Sequence, residues 1–509
     1  MSEAKENTKT VDVTKMKNVE PLPYLNLQDI KEISCYKPID ADDYYVYDCE
    51  PAKQYFGTCA VCGSSFLKRH GFLAEPRLVH DINIGNIQVD LLVKVPRYQC
   101  TSCLYSFAHK FESIPDNRQM TYRLMDFIRK EAFTRTFKEI SDSYGYSEKT
   151  IADIFTSYAK ELEDARGQIV APRVLGIDEK HIVHKMRGVF VDNETGELLE
   201  MTKDNKKDTV ISTIKGMKDY DKNIEVVTMD MSNGYRSFIQ NCLPNATIIV
   251  DKYHVVQDMG RKVRATKTKL MEVVSSRIDQ EQDAVTKKHL LDVQNLIGTN
   301  AYLFRFRFDN LGKKEARTKA MAEICATFPE FNYLRLLKEG FEKIYLCKTR
   351  EKAERAFAEW KNLLPPKKGI KQIAEWEANT GLKADYYSEF ITLANAIDRW
   401  HDEVFAYFDF DEGFTNATAE GYNRYIDSVN HAGSGYSFET LRLKMLFKKY
   451  AGKRVRYILS SKKTPIYESV SSAPNNAVGF KTFDRIKVVG YKEILIVEEV
   501  EEGSPDFIE

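Results

Sequence analysis

A chain of 509 residues with 43% hydrophobic and 12% aromatic content is globular and too long for one core, so it should divide into roughly three or four domains. Lys plus Arg and Asp plus Glu both total 75, so overall charge announces no nucleic-acid partner, and any such surface has to come from local clustering. No apolar run reaches about 18 residues, and the charged start MSEAKENTKTVDVTKMKNVE lacks the core of a signal peptide; this argues against membrane spans and secretion and for a cytoplasmic protein.

Residues 1–54 read as an N-terminal segment, polar and disordered over its first 20 or so. Residues 55–112 contain CAVC (Cys59, Cys62), the alternating run IQVDLLVKVPRYQC and CTSC (Cys100, Cys103). Two Cys-x-x-Cys turns can close a tetrahedral sulfur shell around Zn2+, and four thiolates leave no open position, so the role is structural. Nine cysteines, an odd number, suit a metal site in a reducing compartment better than a disulfide framework. The gap between the pairs is long for such a site, so intervening strands must bring the ligands together. His70, His80 and His109 are expected to be surface or core residues.

Residues 113–170 read as helical. TFKEISDSYGYSEKTIADIF, Thr136 to Phe155, has the spacing of a helix-turn-helix, with apolar Ile140, turn residue Gly145, and Ile151 and Ile154 packing the second helix. An ordinary helical hairpin would share that pattern. Ser147 caps the second helix, placing Lys149 and Thr150 beside backbone N–H groups that can meet a phosphate.

The pattern changes at Pro172. VLGID, RGVFVD and ELLEMT predict three strands, followed by a helix over 207–217, the strand IEVVTMD, a helix over 235–242 and the strand ATIIVD. Three consecutive strands and then alternation predict an α/β sheet covered on both faces. Residues 171–268 form the first part of this domain, 269–407 a charged helical insertion containing all three tryptophans, and 408–455 a second part. The latter begins with the helix of TNATAEGYNRYIDS and continues into a basic helical stretch, LRLKMLFKKYAGKRVR. Residues 456–509 form a tail with strand-like FDRIKVVGY and EILIVEEV and an acidic end.

Asp178 ends VLGID and Asp230 ends IEVVTMD, so neighbouring strands would present both carboxylates at adjacent tips, where a divalent cation can be held. Singly, each would be a turn residue. Glu420, which could merely complement its helix dipole, would be the third ligand, and oxygen-only donors favour magnesium or manganese. The succession of cysteine knuckles, helix-turn-helix, GIDE, TMDMSNGYRSFI, IIVDKYHVVQ and ATAEGYNRYI resembles the ISL3 family of bacterial insertion-sequence transposases over most of residues 55–455.

That resemblance implies a multidomain α+β protein: a ribonuclease H-like α/β catalytic domain interrupted by a helical insertion, preceded by a zinc-binding domain and a helix-turn-helix. It places the acidic triad, two Mg2+ or Mn2+ ions and the catalytic role on Asp178, Asp230 and Glu420. It also implies DNA as partner, both terminal inverted repeats and target, with cleavage and strand transfer in the bacterial cytoplasm, nucleoid-associated when bound. Asp251, which ends the next strand, competes with Asp230 but ranks as a neighbour that orients His254 or binds DNA. Glu179 points to the opposite face. Lys252, Arg261, Lys262 and Arg264 after the sheet, and Lys448 and Lys449 near the end, are candidate phosphate contacts, as is Arg424, one turn beyond Glu420. Paired cleavage of two ends suggests a homodimer on DNA. A regulator that has lost catalysis, or a nuclease that cuts without joining, are the alternatives.

Overall fold

The computed structural model describes residues 27–39, 42–53, 57–307, 315–410 and 413–451, together with the backbone of strands at 16–18, 455–470 and 485–501. Apart from 16–18, the stretch expected to be disordered at the start lies outside the described residues. The chain divides into two compact units, Met1–Lys160 with Phe447–Glu509, and Glu161–Leu446.

In the first unit, β1 (Met16–Asn18), β2 (Ile30–Pro38), β3 (Tyr44–Pro51), β4 (Leu67–Phe72), β5 (Arg77–His80), β6 (Gln88–Val93), β7 (Pro96–Cys100) and β8 (Ser106–Ala108) build two sheets. Their orders are β1-β2-β3-β6-β5 and β4-β7-β8. The N-terminal segment thus supplies two full strands, β2 and β3, whose inward Cys35, Tyr47 and Cys49 pack with Val79, Leu91 and Val93. The run IQVDLLVKVPRYQC is not one strand: β6 joins the larger sheet and β7 the smaller. Pro96 sits where a strand tolerates proline, at its first residue.

Helices α1 (Tyr122–Glu131), α2 (Phe137–Tyr144) and α3 (Glu148–Arg166) follow. Thr136 and Glu139 form a reciprocal capping box at the start of α2, and Gly145, at φ 71°, ends it in the left-handed conformation that glycine adopts without strain. Ile140, Tyr144, Ile151, Ile154 and Phe155 are buried, the inward faces that the spacing predicts. The tail pairs β14 (Val455–Val470) with β15 (Arg485–Glu501) as antiparallel strands; from Arg485 on, both predicted strand pieces fall in β15, and residues 502–509 of the acidic end lie outside the described residues.

The second unit is built on β9 (Val174–Ile182), β10 (Lys185–Asp192), β11 (Leu198–Met201), β12 (Val226–Met229) and β13 (Thr247–Val250), with α4 (Lys207–Lys215), α5 (Tyr220–Asn223) and α6 (Asn233–Cys242) in the connections. The order is β11-β10-β9-β12-β13; the first three strands are antiparallel, and β12 runs parallel to both β9 and β13. Gly176 is dictated by closeness, since a Cβ there would lie 2.5 Å from Val191 Cγ2.

After the sheet comes α7 (Lys252–Gln280), one continuous helix of 29 residues. Then follow α8 (Ala284–Thr299), α9 (Glu315–Thr327), α10 (Pro329–Ile344), α11 (Arg350–Asn362), α12 (Ile370–Thr380), α13 (Ser388–Arg399), α14 (His401–Phe405), α15 (Ala417–Gly433) and α16 (Phe438–Leu446). The boundary expected at residue 268 falls inside α7. Sheet residues Leu175, Ile177 and Val227 share one buried cluster with Phe390, Trp360 and Trp400 of the helices. Trp360 and Trp400 are therefore core residues. The basic stretch expected to stay helical through Arg456 ends at Leu446; Lys448–Tyr450 is a 3-10 turn.

Candidate functional site

Side chains alternate across a strand, so Val174, Gly176 and Asp178 share one face of β9, as do Val226, Thr228 and Asp230 on the β12 line and Ile249 and Asp251 on the β13 line. β12 pairs with β9 up to Thr228 opposite Gly176, and with β13 up to Met229 opposite Val250. Continuing both registers brings Asp178, Asp230 and Asp251 level across three adjacent strands, on one face. Asp178 does not end its strand, as expected, but lies within β9 opposite Val189. What ends there is the pairing to β12, which stops at Thr228 opposite Gly176.

Asp178 is 4% exposed. Its Oδ1 accepts the Glu179 N–H at 2.7 Å and its Oδ2 accepts from Asn423 Nδ2 at 2.5 Å. Burial and then the neighbouring Asp230 charge nevertheless push its carboxyl up to about 6. His254 Nδ1 lies 2.6 Å from Asp230 Oδ1 and 3.1 Å from Asp251 Oδ2. Burial disfavours the imidazolium, but the two carboxylates outweigh it and push His254 up to about 10. Ligand atoms of Asp230, Asp251 and His254 all lie within 4.8 Å of one another; Asp178 and Glu420 are not in that tight group.

Asp251 is fully buried and serves several donors. It caps α7 through the Tyr253 N–H at 3.3 Å, takes the Asn416 N–H at 3.1 Å and faces His254. Those bonds fit a positioning residue that orients His254.

Glu420 stands in the first turn of α15, half-buried. Burial raises its carboxyl, the charges of Asp251 and Asp178 add to the rise, and His254 and Arg424 oppose it. Asn416, at the N-cap position of α15, makes no cap bond with its side chain. It reaches the sheet instead: Nδ2 donates to the Ile177 carbonyl and Oδ1 accepts from Thr228 Oγ1, both at 3.3 Å, and Thr228 in turn accepts from Asn193 Nδ2 at 2.7 Å. Tyr422 Oη donates to the Gly196 carbonyl, and Lys180 pairs with Asp427 at 2.5 Å. These contacts fix α15 over the carboxylate face. Sequence reading missed Asn416, Asn423 and Thr228, although Asn423 is signalled by its spacing: three residues after Glu420, it shares that residue's helix face. Glu179 lies on the other face, where Asn205 Nδ2 donates to it at 3.0 Å.

The second cluster holds Cys59, Cys62, Cys100 and Cys103. The Cys59–Cys103 and Cys62–Cys100 sulfurs are each 3.6 Å apart, close to the edge of about 3.8 Å of a tetrahedron with Zn–S bonds of about 2.3 Å. The strands β4 and β7 between the two pairs lie side by side, Leu67 opposite Cys100, and this closes the long gap in sequence. Backbone N–H groups, that of Cys103 foremost, draw the Cys100 thiol down to about 6, and others lower Cys59 as well, toward the thiolate a metal requires, while at Cys103 a backbone N–H bond is outweighed by burial and the neighbouring thiols, which raise it. The cluster could hold a structural zinc.

The candidate DNA contacts divide. Ser147 is engaged as the cap of α3, its Oγ accepting the Thr150 N–H at 3.1 Å, with Lys149 exposed beside it. Lys252 stacks over Tyr407 and Tyr345, Lys262 pairs with Glu389 at 3.0 Å and Arg261 with Asp258 at 3.3 Å. Arg264, Arg424, Lys448 and Lys449 are exposed. Two basic residues of the final cluster are not surface charges: Lys444 is buried, and Arg442 grips both Glu200 oxygens at 2.7 Å and Glu163 at 2.7 Å.

Among the described residues no helix is long and apolar enough to cross a membrane. No curated protein matches the chain. A family model of transposases, the ISL3 group of the DDE type, matches residues 175–445, from inside β9 to the last turn of α16. That is more than half of the sequence and takes in every carboxylate of the site, so the chain belongs to the ISL3 family of transposases.

Proposed function

We propose that this transposase binds the terminal inverted repeats of an insertion sequence and catalyses metal-dependent DNA cleavage and strand transfer from a ribonuclease H-like domain. The observation that carries the reading is the level row of aspartates on one sheet face with the Glu420 helix bonded onto it. The 3-2-1-4-5 strand order, first three antiparallel, supports the ribonuclease H likeness.

Asp178, Asp230 and Glu420 would hold Mg2+ or Mn2+. The fit rests on the donors: all are oxygens, as hard cations prefer, and Asp178 sits in an acidic, buried setting that raises its carboxyl. When bound, two such ions lower the pKa of the attacking water or 3′-hydroxyl and stabilise the leaving oxygen. Asn423 holds Asp178 in one orientation, and Asp251 fixes both His254 and the start of α15. The cysteine-bearing sheet with its zinc and the α2–α3 pair, read as a helix-turn-helix, would recognise the repeats through Ser147, Lys149 and Thr150. Arg424, Lys448 and Lys449 would meet the phosphate backbone, and two protomers would cleave the paired ends.

The test is a labelled duplex carrying the repeats that flank the gene, incubated with protein, Mg2+ and a target plasmid. Cut and joined products are expected, and Glu420→Gln should bind the duplex yet yield neither. Binding alone would point to a regulator, and cutting without joining to a nuclease.

A further inference from the structure

A cavity of about 270 Å3 lies along α7, between that helix, the 3-10 turn Ala301–Arg305 and α10. Its walls are apolar, formed by Met259, Val263, Phe304 and Phe341. One side carries Lys338 and Glu342, which neutralise each other at 2.9 Å. Arg264, Lys267 and Arg305 complete the lining.

Neighbouring cations on α7 are paired: Arg261 with Asp258, Lys262 with Glu389 and Lys269 with Asp385. Among the described residues, none of Arg264, Lys267 and Arg305 has a carboxylate within 4.0 Å, and Glu342 in the same lining is held by Lys338. A helix normally avoids glycine in its interior, yet Gly260 lines this cavity. A Cβ there would meet nothing closer than Arg264 Nη1 at 3.7 Å, so packing does not require the glycine, and what it provides is open space. Greasy walls with an unpaired cationic rim suit a ligand with a flat apolar body and an anionic edge. The volume is slightly below that of typical small-molecule sites, about 300 Å3 and above, which is room for a single ring system.

The geometry points to this cavity as a slot for one unstacked nucleotide of the DNA substrate, its base between Val263 and Phe304 and its phosphate on Arg264, Lys267 and Arg305. The inference rests on the DNA-cleaving reading above and deepens it. Aromatic and apolar walls accept any base by stacking, and arginines and lysines track the backbone. At about 1.5 Å per residue, the cavity begins about 8 Å along α7 from Asp251 and ends about 24 Å from it. With bases spaced about 3.4 Å along a strand, the captured nucleotide lies about two to seven positions from the scissile phosphate.

The experiment uses the full-length protein and terminal-repeat duplexes with 2-aminopurine placed singly at each of the ten positions nearest the cleavage site. DNA binding is followed separately by fluorescence anisotropy. One position in the two-to-seven window should brighten severalfold on saturation and become shielded from acrylamide. Gly260→Leu, which fills the cavity, should abolish that signal while still binding DNA. If that variant melts differently from the wild type, the rim double variant Arg264→Ala/Lys267→Ala serves in its place and should weaken the signal at least severalfold. Saturated DNA with no bright position, or a signal unchanged in a folded Gly260→Leu, overturns the slot and leaves the transposase reading intact. Absence of any duplex binding overturns both.

Discussion

Asp178 carries an electrostatic cost that a bound cation would remove. Its carboxyl, at about 6 in the folded chain against an ordinary 3.8, binds its proton more tightly folded than unfolded. The penalty is therefore absent below the unfolded value, grows as pH rises toward 6 and stays at about 2–3 kcal/mol above it. We expect Mg2+ to raise the melting temperature clearly at pH 7.5 and distinctly less at pH 5, where part of the carboxyl population is still protonated. Asp178→Asn should melt higher than wild type in metal-free buffer at pH 7.5 and lose its response to Mg2+. A thermal scan across pH with and without the ion checks both, and a magnesium effect equal at the two pH values would contradict them. Asn423 acts on the same carboxylate from α15. Asn423→Ala should keep the fold and lower cleavage about 10- to 100-fold, the usual consequence of freeing a metal-ligating group, as measured by product formation at saturating DNA.

Elements whose signal is local were legible in the sequence. The Cys-x-x-Cys pairs named their own ligands because a tight turn fixes two sulfurs, and the five strands around Asp178 were readable from β-branched runs. β2 and β3 were not, because their polar and aromatic residues alternate weakly and β3, on which β2 pairs, is seated by a parallel partner, β6, some 40 residues away. The role of Arg442 was not legible for a related reason: in a basic stretch nothing marks the one guanidinium that meets Glu163, Glu200 and Glu439. Removing it leaves the carboxylates of Glu163, Glu200 and Glu439 without their shared cation, so Arg442→Ala should cost about 2 kcal/mol in urea unfolding at pH 7. A loss below about 0.5 kcal/mol would mean the network is solvated. At the cysteine sheet, chelation should loosen β4, β7 and β8 while the Glu161–Leu446 unit stays folded. Hydrogen exchange before and after a strong zinc chelator reads this directly, and unchanged protection in the three strands would contradict a structural metal.

For the whole molecule, the sheet and the helices after it are one folding unit. Leu175 and Val227 share their core with Phe390 and Trp400, so excising residues 269–407 should expose the sheet's apolar face rather than leave a smaller working enzyme. We expect such a deletion to be degraded under limited proteolysis that wild type survives, and a resistant sheet fragment would argue against a shared core. α7 ties the two regions mechanically as well. At 29 residues without an internal proline, it is a stiff rod about 44 Å long, capped by the buried Asp251 and packed against α8, α10 and α13. A swing of about 5° at that capped end carries the far tip about 4 Å. A lever that long turns crowding near its middle into a nudge at the carboxylates, so grip on the substrate and readiness to cut would travel along the same piece of backbone.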